Sequence, residues 1–344
     1  MGNFSHGGDI YCLKKKVIDF SSNINPLPVS YKLKKIISKE IEKINIYPDN
    51  SCRDLKEEIS KYWEIKKENI FIGNGASELI YLFFNIFKPK DILIPVPTFS
   101  EYERCAKIFG TKTIFSSLDS NFNFKLNQTK NFDSIIFCNP NNPTGNLIIS
   151  KEEILKFKNK LILLDESFMD FVEKENEKTM IYDAINEENI VVIRSFGKFW
   201  GLAGLRVGYS ISNKENIEKF ENNKIIWSVN LIGQIFATTL IKDKKFKEKI
   251  LKFIKKEKKY LYNEISKIPS LKIFPSLTNF FLIKIEKNGI DAKFLKEKLI
   301  EEGFLIRDCS NFRGLNNKFF RISVRRHDEN LKLIKSLKNI LWKN

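Results

Sequence analysis

Between residues 52 and 211, short apolar runs alternate with helical stretches, and few architectures accommodate that rhythm. The runs are 70–72, 92–95, 113–116, 134–138, 161–164, 190–194 and 207–211. They are short and uniformly apolar, as strands covered on both faces should be. Segments between them, such as 76–87 and 151–157, carry helical apolar spacing. This repetition predicts an α/β fold with a mostly parallel, seven-stranded sheet between helices. After residue 227 the pattern changes. A charged helix over 242–266 precedes strands at 271–274, 280–285, 304–307 and 319–324, with helices at 292–301 and 328–342. That reads as a separate, smaller α+β unit. The first 30 residues are rich in Gly, Asn, Ser and Pro and read as an ordered arm, with a helix over 29–43. The expected division is 1–45 for the arm and first helix, as part of the small domain, 46–240 for the large domain, and 241–344 for the C-terminal small domain.

Composition removes several classes. The 344-residue chain carries a formal charge of +17, which invites a nucleic-acid reading. Only nine of its 59 basic residues are arginine, and the lysines are scattered through a chain also rich in Ile, Asn and Glu. The charge therefore reads as background, and no nucleic-acid partner is expected. Two histidines, His6 and His327, make a His-built metal centre unexpected, so no metal is assigned. The five cysteines form no C-x-x-C pair, which disfavours a zinc ribbon or disulfide framework and favours the cytoplasm. No apolar run approaches ~18 residues, so no membrane span is expected. No signal-type apolar stretch opens the chain. Met1-Gly2 opens like a myristoylation site, but His6 stands where Ser or Thr is needed.

In open α/β sheets, ligands sit at the carboxyl ends of the strands. Four strings fall there. Gly73-Asn74-Gly75-Ala76-Ser77-Glu78 runs from a strand into a helix and can cradle an anion with backbone N–H groups, although alone such a string is more often only a turn. Asn139-Pro140-Asn141-Asn142-Pro143-Thr144-Gly145 is stiffened by two prolines and can aim an amide at a ligand. Asp165 ends a buried strand, where a carboxylate needs a cationic or N–H partner or else caps the next segment. Lys198 lies in an apolar, glycine-rich stretch with Ser195 before it and Arg206 after it. A desolvated lysine is a nucleophile for carbonyls, and an arginine fork suits phosphate. Together these are the parts a pyridoxal phosphate site needs: an amine for a Schiff base, a carboxylate for the pyridinium nitrogen, and phosphate donors.

The strings NPNNPTG (139–145), DESF (165–168) and SFGKFWGLAGLRVGY (195–209) keep the order and spacing of fold-type-I pyridoxal-phosphate enzymes, and the chain resembles the class I/II aminotransferase superfamily over nearly its whole length. The resemblance implies that Lys198 holds the cofactor and Asp165 pairs with its ring nitrogen. Asn142 would bond its phenolic oxygen, and Gly75, Ala76, Ser77, Ser195 and Arg206 its phosphate. Phe99 would stack on the ring, with Tyr102 as the alternative. Tyr47 matches a tyrosine lent across a dimer to the partner's cofactor phosphate, which implies a homodimer with shared sites.

Within the superfamily the chain resembles both the threonine-phosphate decarboxylases of cobalamin biosynthesis and the histidinol-phosphate aminotransferases. His6-Gly7-Gly8 and the segments 19–27, 227–230, 306–315 and 320–325 resemble the decarboxylases. So does Phe168, where the aminotransferases usually carry Tyr, and Arg325, where they generally have Gly. The implied substrate is a small phosphorylated amino acid, threonine phosphate or the one-methyl-smaller serine phosphate. Arg321 matches the arginine that binds substrate carboxylate. Arg307, Arg325 and His6 are expected at the substrate phosphate, with Asn23 nearby and Asn142 also toward substrate. The arm is expected to carry His6 to the neighbouring subunit's site.

Overall fold

A computed structural model describes residues 6–29, 31–125 and 131–343, so the Met1-Gly2 opening lies outside the described residues. The strands are β1 Ile18–Asp19, β2 Ile70–Gly73, β3 Asp91–Val96, β4 Lys112–Ser117, β5 Ser134–Cys138, β6 Leu161–Asp165, β7 Ile190–Ser195, β8 Gly208–Ile211, β9 Leu271–Ile273, β10 Phe280–Ile285, β11 Phe304–Leu305, β12 Arg307–Asp308 and β13 Phe319–Ser323. The helices are α1 Tyr31–Glu40, α2 Arg53–Trp63, α3 Gly75–Phe87, α4 Glu101–Ile108, α5 Lys151–Ile154, α6 Glu175–Lys178, α7 Ile181–Ala184, α8 Lys214–Asn223, α9 Leu231–Ile241, α10 Lys244–Ser266, α11 Ala292–Glu301 and α12 His327–Lys343.

Seven strands form one sheet in the order β2-β8-β7-β6-β5-β3-β4. All seven apolar runs of the sequence lie in it. The β4-β3-β5-β6-β7 block is parallel, and β8 runs antiparallel to both β7 and β2. Successive side chains on a strand face opposite sides. Ile135, Phe137, Ile162, Leu164, Ile190 and Val192 accordingly enter one core layer, while Ile136, Leu163, Val191 and Ile193 enter the other. Full burial of each such side chain contributes roughly 1.5–3 kcal/mol. The two-sided cover explains why the strands read as unbroken apolar runs.

A second sheet, β12-β13-β10-β9, is built entirely from the C-terminal region. In the arm, β1 pairs in parallel with β11 as a separate two-stranded sheet. The Ser323 N–H also donates to the Phe20 carbonyl at 2.8 Å. The expected single strand over 304–307 is two short ones. Buried Ile306 separates β11, which pairs with β1, from β12, which pairs with β13. The helix expected over 29–43 ends at Glu40 and tightens into a 3₁₀ turn, Ile41–Asn45. The expected helix over 151–157 keeps one turn, fixed by a capping box between Ser150 and Glu153. Among the described residues, no helix is long and apolar enough to cross a membrane.

Candidate active site

The parallel strands end along one edge of the large sheet, and a cavity of about 500 Å³ opens there against the arm and the second sheet. Twelve of the residues expected at the site line it: His6, Asn23, Ala76, Ser77, Phe99, Asn142, Asp165, Ser195, Lys198, Arg206, Arg307 and Arg321.

The floor carries Lys198 and Asp165. Lys198 follows β7, and its backbone carbonyl accepts a 3.0 Å hydrogen bond from the Asn25 N–H, which ties the lysine turn to the arm. Burial, with Arg321 and Arg206 nearby, pulls the Lys198 ammonium down to about 8, against the opposing pull of Asp165. Asp165 ends β6. Its Oδ1 accepts the Ser167 N–H at 2.9 Å, and its Oδ2 accepts the Tyr102 hydroxyl at 2.6 Å.

One wall is the N-terminus of α3, where free N–H groups and the helix dipole favour an anion. Gly75 opens the helix at φ +77°, and a Cβ there would stand 2.9 Å from Arg206 Nη2. Gly208 on β8 lets the sheet approach equally closely, since a Cβ would meet the Ala76 nitrogen at 2.9 Å. Arg206 Nη2 donates to Ser77 Oγ at 3.4 Å. Ser195 Oγ accepts the Gly197 N–H at 3.1 Å, so its own proton is free to donate. Backbone donors, two hydroxyls and a guanidinium thus converge where Lys198 also opens.

The opposite wall carries two arginines facing each other in the β12–β13 ladder, Arg307 and Arg321. Arg321 is buried, and donates to the Ser21 carbonyl at 2.7 Å and to Asn142 Oδ1. Guanidinium only donates, so this contact fixes the Asn142 amide with its NH₂ as the remaining polar edge. Burial, reinforced by Arg307, holds Arg321 down at about 10. Among the described residues, no carboxylate lies within salt-bridge distance of Arg321. A buried guanidinium of this kind needs an anion. Arg307 donates to Asn311 Oδ1 at 2.7 Å and lies 5.2 Å from the Phe312 ring centre.

Two expectations change. Arg325 does not line the cavity: its Nε lies 3.3 Å from Glu329 Oε2 across the first turn of α12, and this local pair holds it away. His6 was expected at a neighbouring subunit's site, yet it lines its own chain's cavity. Its Nε2 is 2.7 Å from Glu101 Oε1 and its ring 5.4 Å from Phe99. Tyr47 is exposed and stacks on Trp227 with ring centres 4.1 Å apart, outside the cavity. Gly75 stands behind the lining, against Arg206.

The sequence reading missed Tyr11, Ser21, Ser22, Cys138, Ser167 and Phe312, all of which line the cavity. Ser21 and Ser22 lie in a resembling segment, and its serines were the available signal. Tyr102, the alternative stacking residue, instead bonds Asp165.

The profile of the aminotransferase class I and II family matches residues 15–337. A protein of Caldanaerobacter subterraneus described as a "Putative threonine-phosphate decarboxylase" is 38% identical, over 99% of this chain and 95% of its own. The histidinol-phosphate aminotransferase of Clostridium acetobutylicum superposes with TM-score 0.87 at 34% identity, covering 94% of this chain and 99% of its own. The L-threonine-O-3-phosphate decarboxylase of Porphyromonas gingivalis gives TM-score 0.84 at 27% identity, with the same coverages.

The protein is a pyridoxal-phosphate-dependent enzyme of an α/β fold. It belongs to the class I and II aminotransferase family. The residues present fit that cofactor: an amine of lowered basicity, a fixed carboxylate, and an anion cradle that a Cβ at Gly75 would obstruct.

Proposed function

We propose that the protein decarboxylates L-threonine O-3-phosphate to (R)-1-aminopropan-2-yl phosphate and CO₂, supplying the linker of the cobalamin nucleotide loop. The observation that carries this reading is Phe168 in the cavity wall. It packs edge-on against Phe280, with ring centres 5.0 Å apart, and offers no hydroxyl where the resembling aminotransferases have one. The 38% identical relative with a decarboxylase name supports it.

When bound, pyridoxal phosphate supplies an electron sink for the bond broken at the substrate α-carbon. The chain's own residues orient that bond. Lys198 would hold the cofactor, with Asp165 toward its ring nitrogen, Asn142 toward its phenolic oxygen and Phe99 against its ring. Gly75, Ala76, Ser77, Ser195 and Arg206 hold its phosphate. Arg321 grips the substrate carboxylate, while Arg307, His6 and Asn23 take the substrate phosphate. Two anchored anions leave little freedom at the α-carbon, so the geometry selects which bond stands across the ring. Lys198 Nζ, or a water, then returns a proton to that carbon.

The active unit in this reading is a homodimer with shared sites, in the cytoplasm. Tyr47 and Trp227 lie among exposed Ile44, Ile46, Ile225 and Ile226, an apolar patch a second copy would cover. Transamination of histidinol phosphate is the second reading, favoured by the 34% identical aminotransferase. Serine phosphate differs from threonine phosphate by one methyl, which a pocket discriminates by about 10–200-fold.

Purified holoenzyme should be given threonine phosphate, serine phosphate, and histidinol phosphate with 2-oxoglutarate, in parallel. CO₂ and aminopropanol phosphate from the first, at the highest kcat/KM, are the expected result. Glutamate from the third without CO₂ from the first would overturn it.

A further inference from the structure

We infer that Tyr102 is a positioning residue whose phenol sets how strongly Asp165 holds the ring proton of the cofactor. This deepens the reading above and rests on Asp165 facing the ring nitrogen.

Tyr102 sits in the first turn of α4 with no exposed surface. Its hydroxyl donates to Asp165 Oδ2 at 2.6 Å, and the Ser167 N–H donates to Oδ1 at 2.9 Å. A carboxylate offers about four lone-pair directions. Two are occupied from behind, and Asp165 still lines the cavity, so the remaining ones face a ligand. The two donors fix the plane of the carboxylate and the side it presents. Burial and the neighbouring Asp165 charge hold the Tyr102 phenol well above its ordinary value of 10. It therefore stays protonated and donates at any working pH. Tyr102 also packs edge-on to Phe99, with centres 5.6 Å apart at 85°, so its ring is held by packing as well as by the bond.

Donation from a phenol draws charge from the carboxylate and makes it a weaker base. A proton shared between Asp165 and a ring nitrogen then stays on the nitrogen. Charge on that nitrogen makes the ring accept electrons. Tyr102 thus acts through Asp165 without reaching the substrate.

The test uses holoenzyme loaded with pyridoxal phosphate labelled with ¹⁵N in the ring, read by NMR, in Asp165→Asn, Tyr102→Phe and a form with 3,5-difluorotyrosine at position 102. Asp165→Asn should move the ring nitrogen to the neutral-pyridine position. Tyr102→Phe should move it part of the way in the same direction and lower kcat about tenfold, with KM within about twofold. Difluorotyrosine, a stronger donor, should move it the opposite way. A signal that responds to Asp165→Asn but to neither change at 102 overturns the role of Tyr102 alone. A signal that ignores Asp165→Asn overturns the assignment of Asp165, and this inference with it. If Tyr102→Phe fails to fold, the difluorotyrosine shift decides: an opposite shift sustains the role and no shift overturns it.

Discussion

Two buried polar clusters meet at the ends of β6 and β7 on consecutive residues, and they differ in one respect. Asp165 and Ser195 face the cavity, whereas Glu166 and Arg194 are turned away from it. Behind the sheet, Arg194 lies 3.1 Å from Glu166, 3.3 Å from Asp170 and 3.4 Å from Glu175, and donates to Thr179 at 3.2 Å. Lys247 adds a second cation at Glu175. Burial pulls the Arg194 guanidinium down, but Glu166 and Asp170 outweigh it and hold the group above its ordinary value. Three carboxylates thus share two cations within the set, and burial raises the Asp170 carboxyl to about 6. On the cavity side, among the described residues Arg321 has no carboxylate partner and Asn23 Oδ1 no hydrogen-bond partner, and Lys198 is pushed toward its neutral form. In the first set each charge has a partner within the fold, so removing one member is costly; in the second the missing partner is left for a ligand to supply.

The sharpest division is between Lys198 and Arg194. Lys198→Ala should lose the borohydride-reducible link to pyridoxal phosphate and on the order of 10³-fold or more in turnover, with stability unchanged or raised. A link that survives would place it on another lysine. Arg194→Met should do the reverse. It strands two buried carboxylates, Glu166 and Asp170, so urea unfolding should show a loss of about 3–5 kcal/mol while kcat of the folded fraction changes only a few-fold. Unchanged stability would mean the cluster is not held by its charges.

A smaller effect separates two arginines of β13 and the turn after it. Arg321→Ala should lower kcat/KM by about 10²–10³-fold, because it removes a buried anion partner. Arg325→Ala, which breaks a local pair with Glu329, should stay within about threefold. Equal losses would return Arg325 to the site.

The smallest effect is in pH. Lys198 is lowered from 10.5 to about 8, so its charged form carries a cost that is fully present below pH 8 and fades as pH rises toward 10.5. Capture of pyridoxal phosphate by the apoprotein, followed by absorbance, should therefore speed up to about pH 8 and then level off. A rate that keeps climbing toward pH 10.5 would mean an exposed, ordinary lysine.

Much of this was legible in the residues. Seven apolar runs marked seven strands, and the motif strings placed twelve cavity residues. Strand direction was not legible: a four-residue run such as β8 carries no sign of its antiparallel pairing. Neither was the face on which a side chain emerges from a strand covered on both sides. Arg194, which closes the run 190–194 just before a site string, points away, because side chains alternate and Ser195 takes the cavity side. Arg325 pairs with Glu329, one helical turn on, rather than facing the cavity. The Tyr102 hydrogen bond joins residues 63 positions apart and depends on how α4 packs on β3 and β4, which no local pattern reports.

In the proposed reaction the open set of charges binds a substrate with two anionic ends and releases one of them. Threonine phosphate labelled with ¹³C at the carboxylate, followed by NMR in the presence of holoenzyme, tests it most directly. The label should move to CO₂ and bicarbonate in step with aminopropanol phosphate, with no 2-oxoacid needed. A label that stays on a three- or four-carbon product, or that moves only when 2-oxoglutarate is added, would contradict it.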